Sequence, residues 1–233
     1  MADNKGADIL EIFSSVQGEG LKIGERQIFI RFHGCNLNCE FCDEDKVKKT
    51  DTIGADKILD KIDKLNVENI HNTVALTGGE PLLHSRLLKE LLPQIADKGL
   101  KIYLETNGTL ASELELIIDY LNTIAIDIKL PSVTKDKAYW QEHKQFIKSA
   151  FKREFFIKVI VSEAMDIADF DKAVELTKDA SFDLPFVIQP ETKKKSCEVD
   201  ISPEKLLELQ ERALKSLNNV LVIPQAHKMM RLQ

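Results

Sequence analysis

From about residue 55 onward the chain alternates amphipathic stretches of helical period with short apolar runs, and that alternation leaves few folds open. Helical periodicity covers Ala55–Leu65 and recurs near 86–98, 113–121, 137–151, 167–178 and 203–217. Apolar runs of strand length lie between, near 73–76, 100–105, 124–128, 155–161 and 185–189, and two earlier ones near 9–13 and 27–32. Ser112 with Glu115 reads as a capping box, and Ser202 before Pro203 as an N-cap with proline at the first helical position. Repeated strand-helix units dictate parallel strands joined by right-handed crossovers. The expected fold is therefore α/β, a sheet closed or partly closed as a (β/α) barrel, with functional groups gathered at the C-terminal strand ends.

Polar motifs stand at those ends. Thr77-Gly78-Gly79-Glu80-Pro81 follows one strand; paired glycines let backbone approach a ligand, and Glu80 offers a carboxylate suited to an ammonium. Taken alone, a glycine pair is equally a common turn. Glu105-Thr106-Asn107-Gly108, Asp127-Ile128-Lys129 and Gln189-Pro190 end later strands, while Lys158 either points into the barrel or snorkels outward. Near the N-terminus, Gln17-Gly18-Glu19-Gly20 is a turn that could sit close to a ligand or be plain surface. Arg31, inside the apolar run 27–32, either faces outward or meets an anion such as a carboxylate.

The same run delivers Gly34-Cys35-Asn36-Leu37-Asn38-Cys39-Glu40-Phe41-Cys42-Asp43, which holds three of the chain's four cysteines. Such density is unnecessary for a packed core but lets three thiolates converge on one soft-metal centre. Three protein thiolates on a cubane of four irons leave one iron open to a small molecule with nitrogen and oxygen donors. A structural zinc ion would want a fourth ligand at a spacing the sequence lacks, since His33 would point away if the strand continues. Cys197 reads as an unpaired thiol, and His71, His84 and His143 have no ligand-like spacing.

Composition sets the outer limits. The 233 residues suit a single domain, residues 1–233, with a cluster loop at 33–44 and a tail at 220–233. A net charge of −6 argues against a nucleic-acid surface, and Lys193-Lys194-Lys195 reads as a solvated loop. No apolar run has membrane-spanning length and no signal peptide is evident, so a cytoplasmic location without a membrane partner is expected. A reducing compartment would also keep the thiols available.

The Cys-x3-Cys-x2-Cys pattern, with Phe41 before the last cysteine, resembles the radical S-adenosylmethionine (SAM) superfamily. Within it, Gln17 to Gly20, Phe29-Ile30-Arg31, Gly34 to Asp43, Thr77 to Pro81, Glu105 to Gly108, the segment at Asp127, and Pro224-Gln225 with His227-Lys228 resemble the 7-carboxy-7-deazaguanine synthase family over nearly the whole chain. The resemblance implies a partial barrel of the radical SAM type, in which Cys35, Cys39 and Cys42 hold a 4Fe-4S cluster that cleaves SAM to a 5'-deoxyadenosyl radical. It implies a lyase that converts 6-carboxy-5,6,7,8-tetrahydropterin to 7-carboxy-7-deazaguanine with loss of ammonia, in queuosine and 7-deazapurine biosynthesis. Phe41, Asp43, Gly79, Glu80, Asp127, Ile128 and Lys129 would line SAM. Val16, Gln17, Gly18, Arg31 and Thr77 would contact the pterin, and the tail around Pro224 and His227 would close the pocket. The family's magnesium ligand is a threonine, and Glu44 stands in its place here. An external electron donor and a homodimer are also implied. Two other readings compete: a glycyl-radical activating enzyme acting on a partner protein, and a zinc module in which the cysteines are structural.

Overall fold

The computed structural model describes residues 6–40, 42, 50–193 and 198–232. One nine-stranded sheet has the order β3-β1-β2-β4-β5-β6-β7-β8-β9. Seven of these, β2 (Arg26–Phe32), β4 (Thr73–Gly78), β5 (Lys101–Thr106), β6 (Thr123–Ile128), β7 (Glu154–Val161), β8 (Phe186–Pro190) and β9 (Val220–Val222), run parallel. The expected partly closed parallel barrel forms, with β1 (Gly6–Val16) as the one strand running against the rest. It pairs antiparallel with both β2 and β3 (Asp51–Gly54); the link from β1 to β2, residues 17–25 with one 3-10 turn at Gly20–Lys22, is too short for a crossover. The edge strands β3 and β9 do not meet, so the barrel is partial.

Helices α1 (Ala55–Leu65), α2 (Ser85–Asp97), α5 (Trp140–Ala150), α6 (Ile167–Ala180) and α7 (Pro203–Leu214) are the long crossovers, with short α3 (Ala111–Glu115), α4 (Pro131–Thr134) and α8 (Ala226–Met230). No helix among the described residues is long and apolar enough to cross a membrane. Ser202 caps α7 as expected, accepting from the Lys205 N–H. The capping box at Ser112 does not form. Leu110 is the N-cap of α3, Ser112 lies inside it, and the Glu115 carboxylate accepts from Ser149 instead. Nor does the helix near 113–121 run through. It breaks into α3 and a 3-10 turn whose Ile118 and Asp119 carbonyls accept from the Arg153 guanidinium.

Side-chain alternation explains where the site lies. On the outer face of the sheet, residues such as Ile30, Leu76, Leu104, Ile126, Ile157 and Ile188 form one buried core with the helices. On the inner face Phe13, Phe29, Ala75, Tyr103, Ala125, Phe156 and Val187 form a second, smaller apolar layer. A strand repeats every two residues, so the next inward positions toward the C-terminal mouth are Arg31, Thr77, Glu105, Asp127, Lys158 and Gln189. The barrel thus carries an apolar plug below and a polar ring above it. Register confirms the ring, with Arg31 opposite Thr77 and Asp127 opposite Lys158.

Candidate active site

The polar ring floors a cavity of about 1270 Å³. One wall holds Cys35, Cys39 and Cys42; another holds Val16, Gln17, Gly18, Glu19 and Arg31; Thr77, Gly79, Glu105, Asp127, Lys129 and Lys158 rise from the strand ends. From the tail come Gln225, His227 and Lys228. Of the residues expected at the site, Ile128 and Glu80 do not line this cavity. Ile128 is fully buried in the outer core, which leaves only its backbone for a ligand. Phe41, Asp43, Glu44 and Cys197 fall outside the described residues.

The cysteine loop is seated by backbone. Beyond Phe32 the strand stops, and the Gly34 carbonyl accepts from the Glu80 N–H at 2.8 Å while the Gly79 N–H donates to Phe32 at 3.0 Å. A Cβ on Gly79 would collide with the Gly34 carbonyl oxygen, so the glycine pair brings the two loops into contact. Further along, the Asn38 N–H donates to Asp136 and the Glu40 N–H to the Thr134 carbonyl. The Cys35 sulfur accepts from the Leu37 N–H at 3.4 Å and from the Asn107 amide at 3.7 Å. Burial raises the Cys35 thiol, and burial pushes Cys39 up to about 11 against the pull of Lys129. All three are free thiols, and the Cys39 thiol feels both others electrostatically.

Among the described residues no three His, Cys, Asp or Glu side chains converge as a single metal ion would require. Three free cysteine thiols on one loop, with N–H donors directed at sulfur, are a donor set that suits a 4Fe-4S cluster. Among the described residues the buried Asp127 Oδ1 has no hydrogen-bond partner, and Lys129 is paired with the Oδ2 beside it, so groups of both signs stand where a zwitterionic ligand such as SAM would lie.

Glu80, which the resemblance would set against an ammonium, also has a job within the chain. Its carboxylate accepts from the Leu82 N–H, the Asn107 N–H and the Thr106 hydroxyl, clasping the loop after β4 to the end of β5. Burial pushes this carboxyl up to about 7, against those donors and Lys129. Because the folded value lies above the unfolded one, the folded state keeps a proton that the unfolded state has lost between pH 4.5 and 7. Glu80 therefore stabilises fully below pH 4.5, and about 3 kcal/mol is lost as pH rises through 7. His143, held down to about 4 by burial, works in the opposite sense over pH 4 to 6.5. The clean measurement is the melting temperature of metal-free protein minus that of Glu80→Gln at matched pH. This difference should fall from pH 5 to 7.5; a flat difference would remove Glu80 from the account.

The other half of the cavity centres on Glu105. Its carboxylate accepts from the Gln17 amide at 2.9 Å and the Thr77 hydroxyl at 2.7 Å, and burial raises it. Arg31 stands over the Phe13 ring at 5.0 Å and 3.6 Å from Glu11, a loose pairing that leaves guanidinium donors for an anion. Lys158 points inward and meets Glu19 at 2.5 Å and Asp127 at 3.4 Å, and Asp127 also takes Lys129 at 2.9 Å. Burial alone would raise Glu19, yet Lys158 and the Gln225 amide hold its carboxyl well below the usual carboxylate range. The tail closes over this turn: the Gln225 amide donates to Glu19 at 2.7 Å and the Ala226 N–H to the Gly18 carbonyl at 2.9 Å.

Sequence reasoning placed Glu105, Glu19, Lys158 and Gln225 within strand-end, turn and tail motifs but assigned none of them a role at the site. A signal existed for Lys158, a cation in an apolar run, and for Glu105, the last inward position of its strand. His84 and His143 have structural jobs, donating to the His33 and Gly108 carbonyls respectively.

A three-cysteine loop, a glycine-pair turn beside it and polar strand ends on a partial barrel define a class. Residues 29–165 match the family model of the radical SAM superfamily, and the chain is a member of that superfamily. It is 39% identical to 7-carboxy-7-deazaguanine synthase of Geobacter sulfurreducens, with 97% of each chain covered. It is 32% identical to the enzyme of the same name from Methanocaldococcus jannaschii, over 94% of this chain and 98% of that one. The chain belongs to the 7-carboxy-7-deazaguanine synthase family. Among solved structures, QueE from Escherichia coli shares the fold, with a TM-score of 0.65, 22% identity and 95% of each chain covered.

Proposed function

We propose that the chain converts 6-carboxy-5,6,7,8-tetrahydropterin to 7-carboxy-7-deazaguanine with release of ammonia, as a radical SAM lyase of queuosine and 7-deazapurine biosynthesis. The observation that carries this reading is the pairing of chemistries in one cavity. The Arg31 guanidinium suits the substrate's carboxylate, and the Glu105 carboxylate suits the row of N–H donors on a pterin's amide and amino edge. Gln17 and Thr77 fix the orientation of Glu105 before a ligand arrives. When bound at Cys35, Cys39 and Cys42, the 4Fe-4S cluster with SAM supplies one-electron chemistry that removes a hydrogen atom from the substrate. The protein's own part is to orient the reacting carbon, with Gly79, Asp127 and Lys129 on the SAM side and Val16, Gln17, Gly18, Arg31 and Thr77 on the pterin side. The tail at 220–233 keeps out water and stray hydrogen donors.

A cytoplasmic location, an external electron donor and a homodimer belong to the same reading and rest on the family resemblance, as does magnesium at Glu44. An activating enzyme would need an open groove for a protein chain, whereas the chain's own tail lines this cavity and bonds to the Glu19 turn, which favours a small-molecule substrate. The reading is tested by anaerobic turnover of reconstituted protein with SAM, a strong reductant and 6-carboxytetrahydropterin, following product mass with and without magnesium. Product formation supports it; 5'-deoxyadenosine without deazaguanine would make the pterin the wrong substrate. Arg31→Met should raise the KM for the pterin by about tenfold to a hundredfold, the worth of a charged hydrogen bond, and leave the Kd for SAM unchanged. An unchanged KM would remove Arg31 from carboxylate binding.

A further inference from the structure

We propose that Lys158 is a positioning residue that holds Glu19, and through it the C-terminal tail, against the half of the cavity built on Asp127 and Lys129. Lys158 sits mid-strand in β7 between the core residues Ile157 and Val159 and is only 6% exposed. A buried ammonium in such a strand is costly unless carboxylates meet it, and two do, Glu19 at 2.5 Å and Asp127 at 3.4 Å. Those carboxylates come from opposite functional halves. Asp127 shares its Oδ2 with Lys129 on the cysteine side, and Glu19 belongs to the turn that carries Gln17 and Gly18.

The contacts continue past Glu19 into the tail. Gln225 donates to the Glu19 Oε1, Ala226 donates to Gly18, and a Cβ on Gly18 would collide with the His227 ring. Lys129, Asp127, Lys158, Glu19 and Gln225 thus form one connected line of charges and hydrogen bonds from the floor of the cavity to its roof. Any ligand that draws Asp127 toward itself alters what Lys158 offers Glu19, and so alters how firmly the tail is held. On the functional reading above, this line makes closure over the pterin depend on what occupies the SAM side. SAM-side occupancy and closure of the tail are thereby coupled through Lys158.

The test uses the full chain and three variants, Lys158→Met, Lys158→Arg and Gln225→Ala. Hydrogen exchange in metal-free protein reads the tail directly. Lys158→Met should speed exchange of the amides at 225–232 by about tenfold or more while the core strands β4 and β5 stay protected, with Lys158→Arg restoring much of the protection. Gln225→Ala leaves the buried Lys158–Glu19 pair intact, and should loosen the same tail amides without lowering the melting temperature. In reconstituted protein, Lys158→Met should release more 5'-deoxyadenosine per deazaguanine formed and raise the KM for the pterin more than the Kd for SAM. Tail exchange equal to wild type in Lys158→Met, or faster exchange spread evenly over the sheet, would overturn the proposal and leave Lys158 a stability residue. Should wild-type protein make no deazaguanine, the substrate assignment fails while the exchange experiment still decides the role of Lys158.

Discussion

Alanine at Cys39 leaves a folded protein that takes up no stable cluster and forms no product. The loop does not need that thiol for its shape: the Asn38 and Glu40 N–H groups hold it through Asp136 and Thr134, and His33 is tied to Asp8. The melting temperature of metal-free protein should therefore stay close to wild type. The cluster, by contrast, has three thiolates and no replacement within the described loop, so one removal leaves two irons without protein ligands. Iron content and visible absorbance after anaerobic reconstitution should collapse together with turnover, and Cys35→Ala and Cys42→Ala should behave alike. Full iron loading with wild-type product formation in any of the three would remove the loop from the chemistry. Loading has its own pH dependence. Burial holds the Cys35 and Cys39 thiols above their ordinary value, and a thiol must lose its proton to bind iron. Reconstitution of wild-type protein should therefore be faster and more complete at pH 8.5 than at pH 6.5.

Much of this site was legible because a strand's period is short. Arg31, Thr77, Glu105, Asp127 and Lys158 each follow an apolar inward residue by two positions, so their faces can be read from the local pattern. What each one touches cannot be read that way. The bond from Gln17 to Glu105 and the one from Gln225 to Glu19 join residues 88 and 206 positions apart, and both depend on how far each strand slides along its neighbour. The Ser112 capping box failed for a similar reason, since the Glu115 carboxylate accepts from Ser149 of α5, and the helix stops early because Arg153, just before β7, captures the Ile118 and Asp119 carbonyls. The motif at Glu80 was incomplete in a different way. Its residue types suit an ammonium, but donors from Leu82, Thr106 and Asn107 also converge on the carboxylate, a structural role the motif alone does not reveal. The antiparallel start of the sheet was legible in the spacing, since residues 17–25 between β1 and β2 are too few for a crossover, but a pattern that counts strand-helix units passes over it.

Gly79→Ala should cost the most for the least chemistry added. Its backbone lies in an ordinary region, so alanine brings no conformational strain; the added methyl instead meets the Gly34 carbonyl oxygen, which already accepts from the Glu80 N–H. Neither group is a flexible side-chain end, so the turn after β4 and the cysteine loop must separate, carrying Cys35 away from Asn107. A misplacement of about 1 Å at a reacting centre can lower a rate by about 10²-fold, and here both the cluster loop and the SAM-side turn would move. The expected result is folded protein with reduced iron loading, a raised Kd for SAM and kcat/KM down by about 10²-fold or more. Gly99→Ala separates this from glycine loss in general. Gly99 has φ +77 with open space around its Cβ position, far from the cavity, so alanine there brings strain without collision. It should lower stability by about 1 to 2 kcal/mol and leave kcat/KM alone. If Gly79→Ala loaded iron and turned over like wild type while Gly99→Ala lost stability, the contact between the Gly79 turn and the Gly34 carbonyl would not be what seats the cluster loop.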